Sequence, residues 1–217
     1  MLALLALLFF IFVALCVWQV ERRAWKLALI EKVEARVHAG PVELPASFDD
    51  DEYLHVRAAG RFRYDAQVFT QAVTEKGAGF WVMTPLVMAD GTTLLVNRGF
   101  VPPESREAVK TGPEGEIRLT GLLRLSEPGG GFLRKNDPAA GRWFSRDVAA
   151  IAAQQGLQGV RPERFVDLDA GAALPIAGLT VISFHNSHLV YALTWAGLAL
   201  MCLGGAAFVL RQQSADD

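Results

Sequence analysis

Residues 1–20, MLALLALLFFIFVALCVWQV, hold no Lys, Arg, Asp or Glu, and residues 189–210, LVYALTWAGLALMCLGGAAFVL, repeat that pattern near the other end of the 217-residue chain. As helices rising about 1.5 Å per residue, these stretches reach roughly 30 and 33 Å, the thickness of a bilayer's hydrocarbon core. Each is therefore read as a transmembrane helix, and the lipid bilayer is the first partner the sequence implies. The 168 residues between them carry 20 of the 21 Lys and Arg and 21 of the 23 Asp and Glu. That partition explains a mean hydropathy of +0.25 in a chain that is 20% charged. It excludes a disordered, collagenous or disulfide-stapled protein. The charges of the middle segment nearly cancel, leaving no broad basic face for nucleic acid. Both cysteines, Cys16 and Cys202, fall inside the apolar stretches. The polar segment thus has no thiol with which to form a disulfide or hold copper or zinc.

A cleaved signal peptide carries basic residues ahead of its apolar core and a small-x-small site after it. Here no basic residue precedes the core, which ends in Cys16-Val17-Trp18-Gln19, so the first helix is read as a retained anchor. A helix beginning at residue 2 also carries the expectation that basic residues upstream of Met1 belong to the natural N-terminus. The second helix has Gly197, Gly204, Gly205 and several alanines, small residues that let membrane helices pack closely. The domain plan is a transmembrane helix over 1–20, an extramembrane domain over 21–188, a second transmembrane helix over 189–210 and a tail over 211–217. Arg22, Arg23, Lys26, Lys32 and Arg36 follow the first helix, against Arg211 and the terminal amine at the outer ends. Counted literally, the positive-inside rule puts the domain in the cytoplasm, but the rule loses force for long domains.

Residues 21–37 continue as helix, with Leu27, Ile30, Val33 and Val37 recurring at three and four until Gly40-Pro41 ends the run. Strands follow over 54–63, 80–88, 92–100, 117–125, 164–168 and 179–184, short stretches rich in β-branched or aromatic residues between turn signals. Ala89-Asp90-Gly91 predicts a hairpin turn. One helix after Ser145, with Ser145 as cap, Asp147 in its first turn and Gly156 as stop, packs on the strands. The fold class is α+β: two transmembrane helices flanking a single β-rich extramembrane domain with one or two packed helices.

Catalytic chemistry finds little footing. Glu127-Pro128-Gly129-Gly130-Gly131 lacks the Lys-Ser/Thr of a nucleotide loop and reads as a flexible loop, and no Gly-x-Ser-x-Gly is present. The protein is read as no enzyme. His185 and His188 stand three apart at the mouth of the second helix. A histidine at a membrane boundary admits two readings, a functional ligand or a ring that snorkels into the headgroups. Tyr191 and Trp195 follow His188 at helical spacing, and Trp18, Arg22 and Trp25 do so on the first helix. Either stripe alone reads equally as an interfacial aromatic belt. Because the domain joins the end of one helix to the start of the other, both stripes lie at one membrane surface. Together they suit a large flat amphiphile carrying a metal and carboxylates.

Several motifs in order resemble the surfeit locus protein 1 family of cytochrome c oxidase assembly factors. They are Trp18-Gln19, Arg22 and Trp25-Lys26; Gly60 and Phe62; Pro85-Leu86; Asp90-Gly91; Leu95 through Asn97-Arg98-Gly99 to Pro102; Trp143-Phe144 and Asp147; and Asn186-x-His188-Leu189-x-Tyr191-Ala192-Leu193-Thr194-Trp195. Cys16 and Phe100 depart from the pattern, and His185 is not part of it. The resemblance implies an inner-membrane protein with both termini inside and the domain outside. It implies cytochrome c oxidase subunit I and other oxidase assembly factors as partners, and heme a as cofactor with His188 as its iron ligand. Tyr191, Trp195, Trp18, Arg22, Trp25 and Lys26 would complete the heme site, with Ser187 or a backbone carbonyl as the hydrogen-bond partner of His188. The alternative is a cofactor-free scaffold that steadies an oxidase subunit, with Asn97, Arg98 and Gly99 on a hairpin that is either a partner-docking edge or a buried strand with a structural glycine. With no mitochondrial presequence in view, the expected home is a bacterial inner membrane, the domain being periplasmic.

Overall fold

The computed structural model describes residues 1–45, 51–131, 133–171, 174–182, 184 and 186–216. It divides into two compact units, Met1–Lys32 with Ile182–Asp217, and Val33–Val181. The first unit is built on two helices. Helix α1 runs Leu2–His38 without a Pro or Gly to break it, and its last turn carries Arg36 and His38 against the negative end of the helix dipole. Within that turn the His38 ring donates to the Glu34 carbonyl at 2.9 Å. A second long helix, His188–Asp216, closes the chain. Both are long and apolar enough to cross a membrane. Only 6% and 17% of their apolar windows is buried by protein, so neither is the core helix of a soluble domain.

The second unit is a closed β barrel. Its strands are β1 (Val42–Glu43), β2 (His55–Phe62), β3 (Val68–Thr74), β4 (Gly77–Val87), β5 (Thr93–Val101), β6 (Ile117–Leu125), β7 (Gly130–Gly131), β8 (Arg134–Lys135) and β9 (Val160–Leu168), with helix α2 (Val148–Gln154) between β8 and β9 and the closing helix as α3. Strand order is β2-β6-β9-β5-β4, and β2 closes the ring by pairing its last residues, Arg61 and Phe62, with Val87 and Leu86 of β4. The β5–β9 pair is parallel and the other barrel pairs are antiparallel. Gly60 sits where β2 leaves β6 for β4, and any Cβ there would collide with the Val87 carbonyl. Alternation then sorts the side chains. Val56, Leu86, Leu94, Val96, Leu123 and Val166 fill the interior, while Met83, Leu95 and Phe165 face outward against Trp143, Val148 and Ile151. The fully buried Val148 and Ile151 of α2 contribute together roughly 3–6 kcal/mol of transfer free energy.

Most strands fall where the sequence predicts them, and the Asp90-Gly91 hairpin forms with Gly91 at φ +81° and Met88 N–H bonded to Thr92 O at 2.9 Å. Three of the differences have a physical reason in the structure. Strand β3 is absent from the prediction because its buried positions are Val68, Thr70 and Ala72 while Val73 is exposed, an alternation that hydropathy does not signal. Among the described residues, 179–182 and 184 form no strand, since both edges of β9 are already taken by β5 and β6. Instead Thr180 Oγ1 donates to Asp167 Oδ2 at 2.9 Å. The cap of α2 is Asp147, not Ser145. Its carboxylate accepts from Ala150 N and from Gly129 N, each at 3.0 Å, so the glycine-rich turn is pinned to the helix start. Ser145 Oγ accepts from Asn136 Nδ2 instead.

Candidate functional site

The site lies in the first unit, where α3 begins at His188 and the Ser187 carbonyl accepts the Tyr191 N–H at 3.3 Å. Ala192, Ala199, Cys202 and Val209 of α3 are buried at spacings of seven, three and seven, the seam of a helix pair. Three levels of contact join α1 to α3. At the inner level, a Cβ on Gly205 would touch the Leu5 side chain at 3.7 Å. Seven residues along α1, the Phe12 ring stacks on Trp195 with centroids 5.7 Å apart and an interplanar angle of 18°. Seven further, Gln19 Oε1 lies 2.7 Å from His188 Nδ1. Gln19 is only 8% exposed and His188 is half-buried, so the contact is partly shielded from solvent.

The sequence-predicted residues divide on this geometry. His188 and Trp195 lie on the seam, and Lys26 reaches the same C-terminal segment, its Nζ 5.5 Å from the Phe184 ring centroid. The Arg22 guanidinium lies 4.0 Å over Trp25 of its own helix. Trp18, Trp25 and Tyr191 are each about half exposed (54%, 51% and 52%). Among the described residues no hydrogen bond or ring contact joins Trp18, Arg22 or Trp25 to α3. His185, which falls outside the family pattern, lies outside the described residues. The hydrogen-bond partner of His188 is neither Ser187 nor a backbone carbonyl but Gln19, which the sequence reading quoted only as part of a Trp-Gln pair. One signal could have found it: no other side chain in residues 1–20 carries an acceptor oxygen.

Two further polar atoms of the same segment, Trp195 Nε1 and Asn186 Oδ1, are buried and have no hydrogen-bond partner among the described residues; a buried polar group left so costs about 1–3 kcal/mol. Among the described residues His188 Nε2 also has no partner. An imidazole with one nitrogen held and the other open is the donor chemistry that a heme iron takes as an axial ligand. The residues present therefore fit that group. Among the described residues no cluster of three or more His, Cys, Asp or Glu side chains could hold a bare metal ion.

In the barrel unit, Asn97, Arg98 and Gly99 occupy β5, every residue of which is buried. Asn97 Nδ2 donates to Asp167 Oδ1 at 2.8 Å and its Oδ1 accepts from Gly99 N at 3.1 Å. Gly99 adopts φ +128°, and a Cβ there would meet the Ile176 carbonyl group at 2.5 Å. Arg98 Nη1 donates to Gln67 Oε1 at 2.8 Å and to Val109 O at 3.1 Å, with the guanidinium 4.9 Å from the Tyr64 ring centroid. Burial lowers the pKa of the Arg98 guanidinium. These three residues lie in an interior strand with paired neighbours on both sides, not on a free hairpin edge. Close by, Asp167 accepts from Arg124 and Arg146, each at 3.2 Å, and Arg146 also pairs with Glu127. Burial alone would push the Glu127 carboxyl up, but the Arg146 guanidinium holds it below its ordinary value.

Comparison with known proteins follows from the whole chain. Residues 6–200 match the model of the SURF1 family. Similar proteins include surfeit locus protein 1 of Homo sapiens, 37% identical over 210 residues that cover 84% of this chain and 68% of that protein. Those of Rattus norvegicus and Xenopus tropicalis are 35% and 34% identical over 83% of this chain. The chain spans 66% of the rat and frog proteins' length.

Proposed function

The chain belongs to the SURF1 family, and on that premise we propose that it is a membrane-bound assembly factor for cytochrome c oxidase that binds heme a as cargo and assists its insertion into subunit I. The observation that carries this reading is the His188 ring, tied at Nδ1 to the buried Gln19 and, among the described residues, open at Nε2. Heme a needs one nitrogen ligand, apolar surface for its ring and tail, and cations for its carboxylates. His188 supplies the first, the Trp195 and Tyr191 side of α3 the second, and Arg22, Arg23 and Lys26 the third. Charge-assisted pairs of this kind are strong where water is scarce. Trp18 and Trp25, half exposed beside those cations, add aromatic surface. Residues 1–20 and 189–210 cross the membrane, 21–188 lie on the periplasmic side of a bacterial inner membrane, and 211–217 return to the cytoplasm. Subunit I and other oxidase assembly factors are then the partners.

Heme a added to the purified protein in detergent tests the reading. Wild type should give a bound-heme Soret band, which His188→Ala removes or strongly shifts and His185→Ala leaves nearly unchanged. Unaltered spectrum and occupancy in folded His188→Ala protein would refute the ligand assignment. A cofactor-free scaffold for an oxidase subunit would then be the better description.

A further inference from the structure

Gln19 stands out among the polar groups of the two apolar helices. The Thr194 and Ser214 hydroxyls of α3 donate to carbonyls of their own helix, Val190 O at 2.9 Å and Leu210 O at 3.1 Å. They satisfy themselves locally, as hydroxyls in membrane helices commonly do. Gln19 instead crosses to α3 and spends its amide oxygen on a histidine 169 residues away. A buried amide in an otherwise apolar span is costly to insert, and such residues mark function by default.

The chemistry of the pair assigns it a specific task. A neutral imidazole has one N–H and one lone pair, and the hydrogen bond made by one nitrogen decides which is which. An amide oxygen can only accept, so a contact of Gln19 Oε1 with His188 Nδ1 is a hydrogen bond only in the Nδ1–H tautomer. The lone pair is then on Nε2, the nitrogen without a partner among the described residues. We propose that Gln19 is a positioning residue that holds His188 as the Nδ1–H tautomer and fixes its ring plane, so that Nε2 is presented as the ligand nitrogen. This rests on the heme a reading above for the identity of what Nε2 meets, but not for the tautomer itself.

The test uses the full-length chain in detergent, labelled with ¹⁵N at histidine, and needs no heme for its first arm. The His188 resonances, identified by their loss in His188→Ala, should report Nδ1–H in wild type. Gln19→Leu removes the acceptor and should move His188 toward the Nε2–H form. Gln19→Glu keeps an acceptor oxygen and should retain Nδ1–H, which a merely structural tether would not require. Added heme a should bind at least about tenfold more weakly to Gln19→Leu than to wild type, with Gln19→Glu restoring retention and shifting the Soret band. An Nε2–H histidine in wild type, or the same tautomer in Gln19→Leu and wild type, overturns the proposal. A tautomer that follows Gln19 in a protein taking up no heme a supports the positioning role and overturns the heme reading instead. If Gln19→Leu fails to fold, the wild-type and Gln19→Glu tautomers still decide.

Discussion

Asp167 offers the sharpest energetic test of the barrel. It is 4% exposed and accepts from Asn97 Nδ2 at 2.8 Å, Thr180 Oγ1 at 2.9 Å and the guanidinium groups of Arg124 and Arg146 at 3.2 Å each. Removing one partner of a buried ion pair costs about 3–5 kcal/mol, because the other charge is left without compensation. Arg124 keeps Glu52 at 3.4 Å and Arg146 keeps Glu127, which places the ionic loss in Asp167→Ala near the bottom of that range. The buried Asn97 amide loses its acceptor as well, adding about 1 kcal/mol. The sum is about 4 kcal/mol, or roughly 8–16 °C in Tm for a chain of this size. Thermal unfolding of the detergent-solubilised full-length protein, followed by near-UV circular dichroism, measures it. Asp167→Asn keeps the volume and removes the charge, so it should lose most of the same stability. A Tm shift in Asp167→Ala below about 3 °C, or under 1 kcal/mol, would refute the reasoning and assign both arginines to Glu52 and Glu127 alone.

His55 places Nε2 2.9 Å from Asp169 Oδ2 and Nδ1 2.8 Å from Ala39 O, so both ring nitrogens face acceptors. Burial works against the charge, but the Ala39 carbonyl and the Asp169 carboxylate outweigh it and raise the pKa above 6.5. The stability it contributes is complete below the unfolded value and is lost as pH rises through the folded one. Melting curves from pH 5.5 to about 9 should therefore show a decline that His55→Ala lacks; equal slopes would exclude this pair as its source. Arg98→Ala should destabilise by about 2–3 kcal/mol, through lost hydrogen bonds to a charged group, yet leave heme a binding intact in the folded protein. Arg98→Lys should not restore stability, because the planar contact with Tyr64 needs a guanidinium, and a lost heme signal would move the site to β5. For topology, green fluorescent protein fused after residue 217 should fluoresce and alkaline phosphatase there should be inactive; the opposite pair of results rules out a periplasmic domain.

How much of this was legible in the sequence depends on how local each feature is. The two apolar helices could be read because length and hydropathy are properties of a single stretch, and α1 ends at His38, just before Gly40-Pro41, for a reason contained in those two residues. The hairpin at Asp90-Gly91 and the bounds of β6, Ile117–Leu125, were legible for the same reason. Strand β3 was not, because the residues it buries include Thr70 and Ala72 while Val73 is exposed, an assignment made by packing and not by hydropathy. Residues 179–184 carry a strand's composition but form no strand among those described, since a strand needs an open edge and β9 offers none. Closure of the barrel through Arg61, Phe62, Leu86 and Val87 is a fact about pairing, which composition does not encode. The chemistry of the site divides along the same line. His188 could be singled out from its place at a helix start and from the family motif around it. That its partner is Gln19 was decided only by the packing of α1 against α3, because a hydrogen bond across 169 residues leaves no periodic trace in either segment.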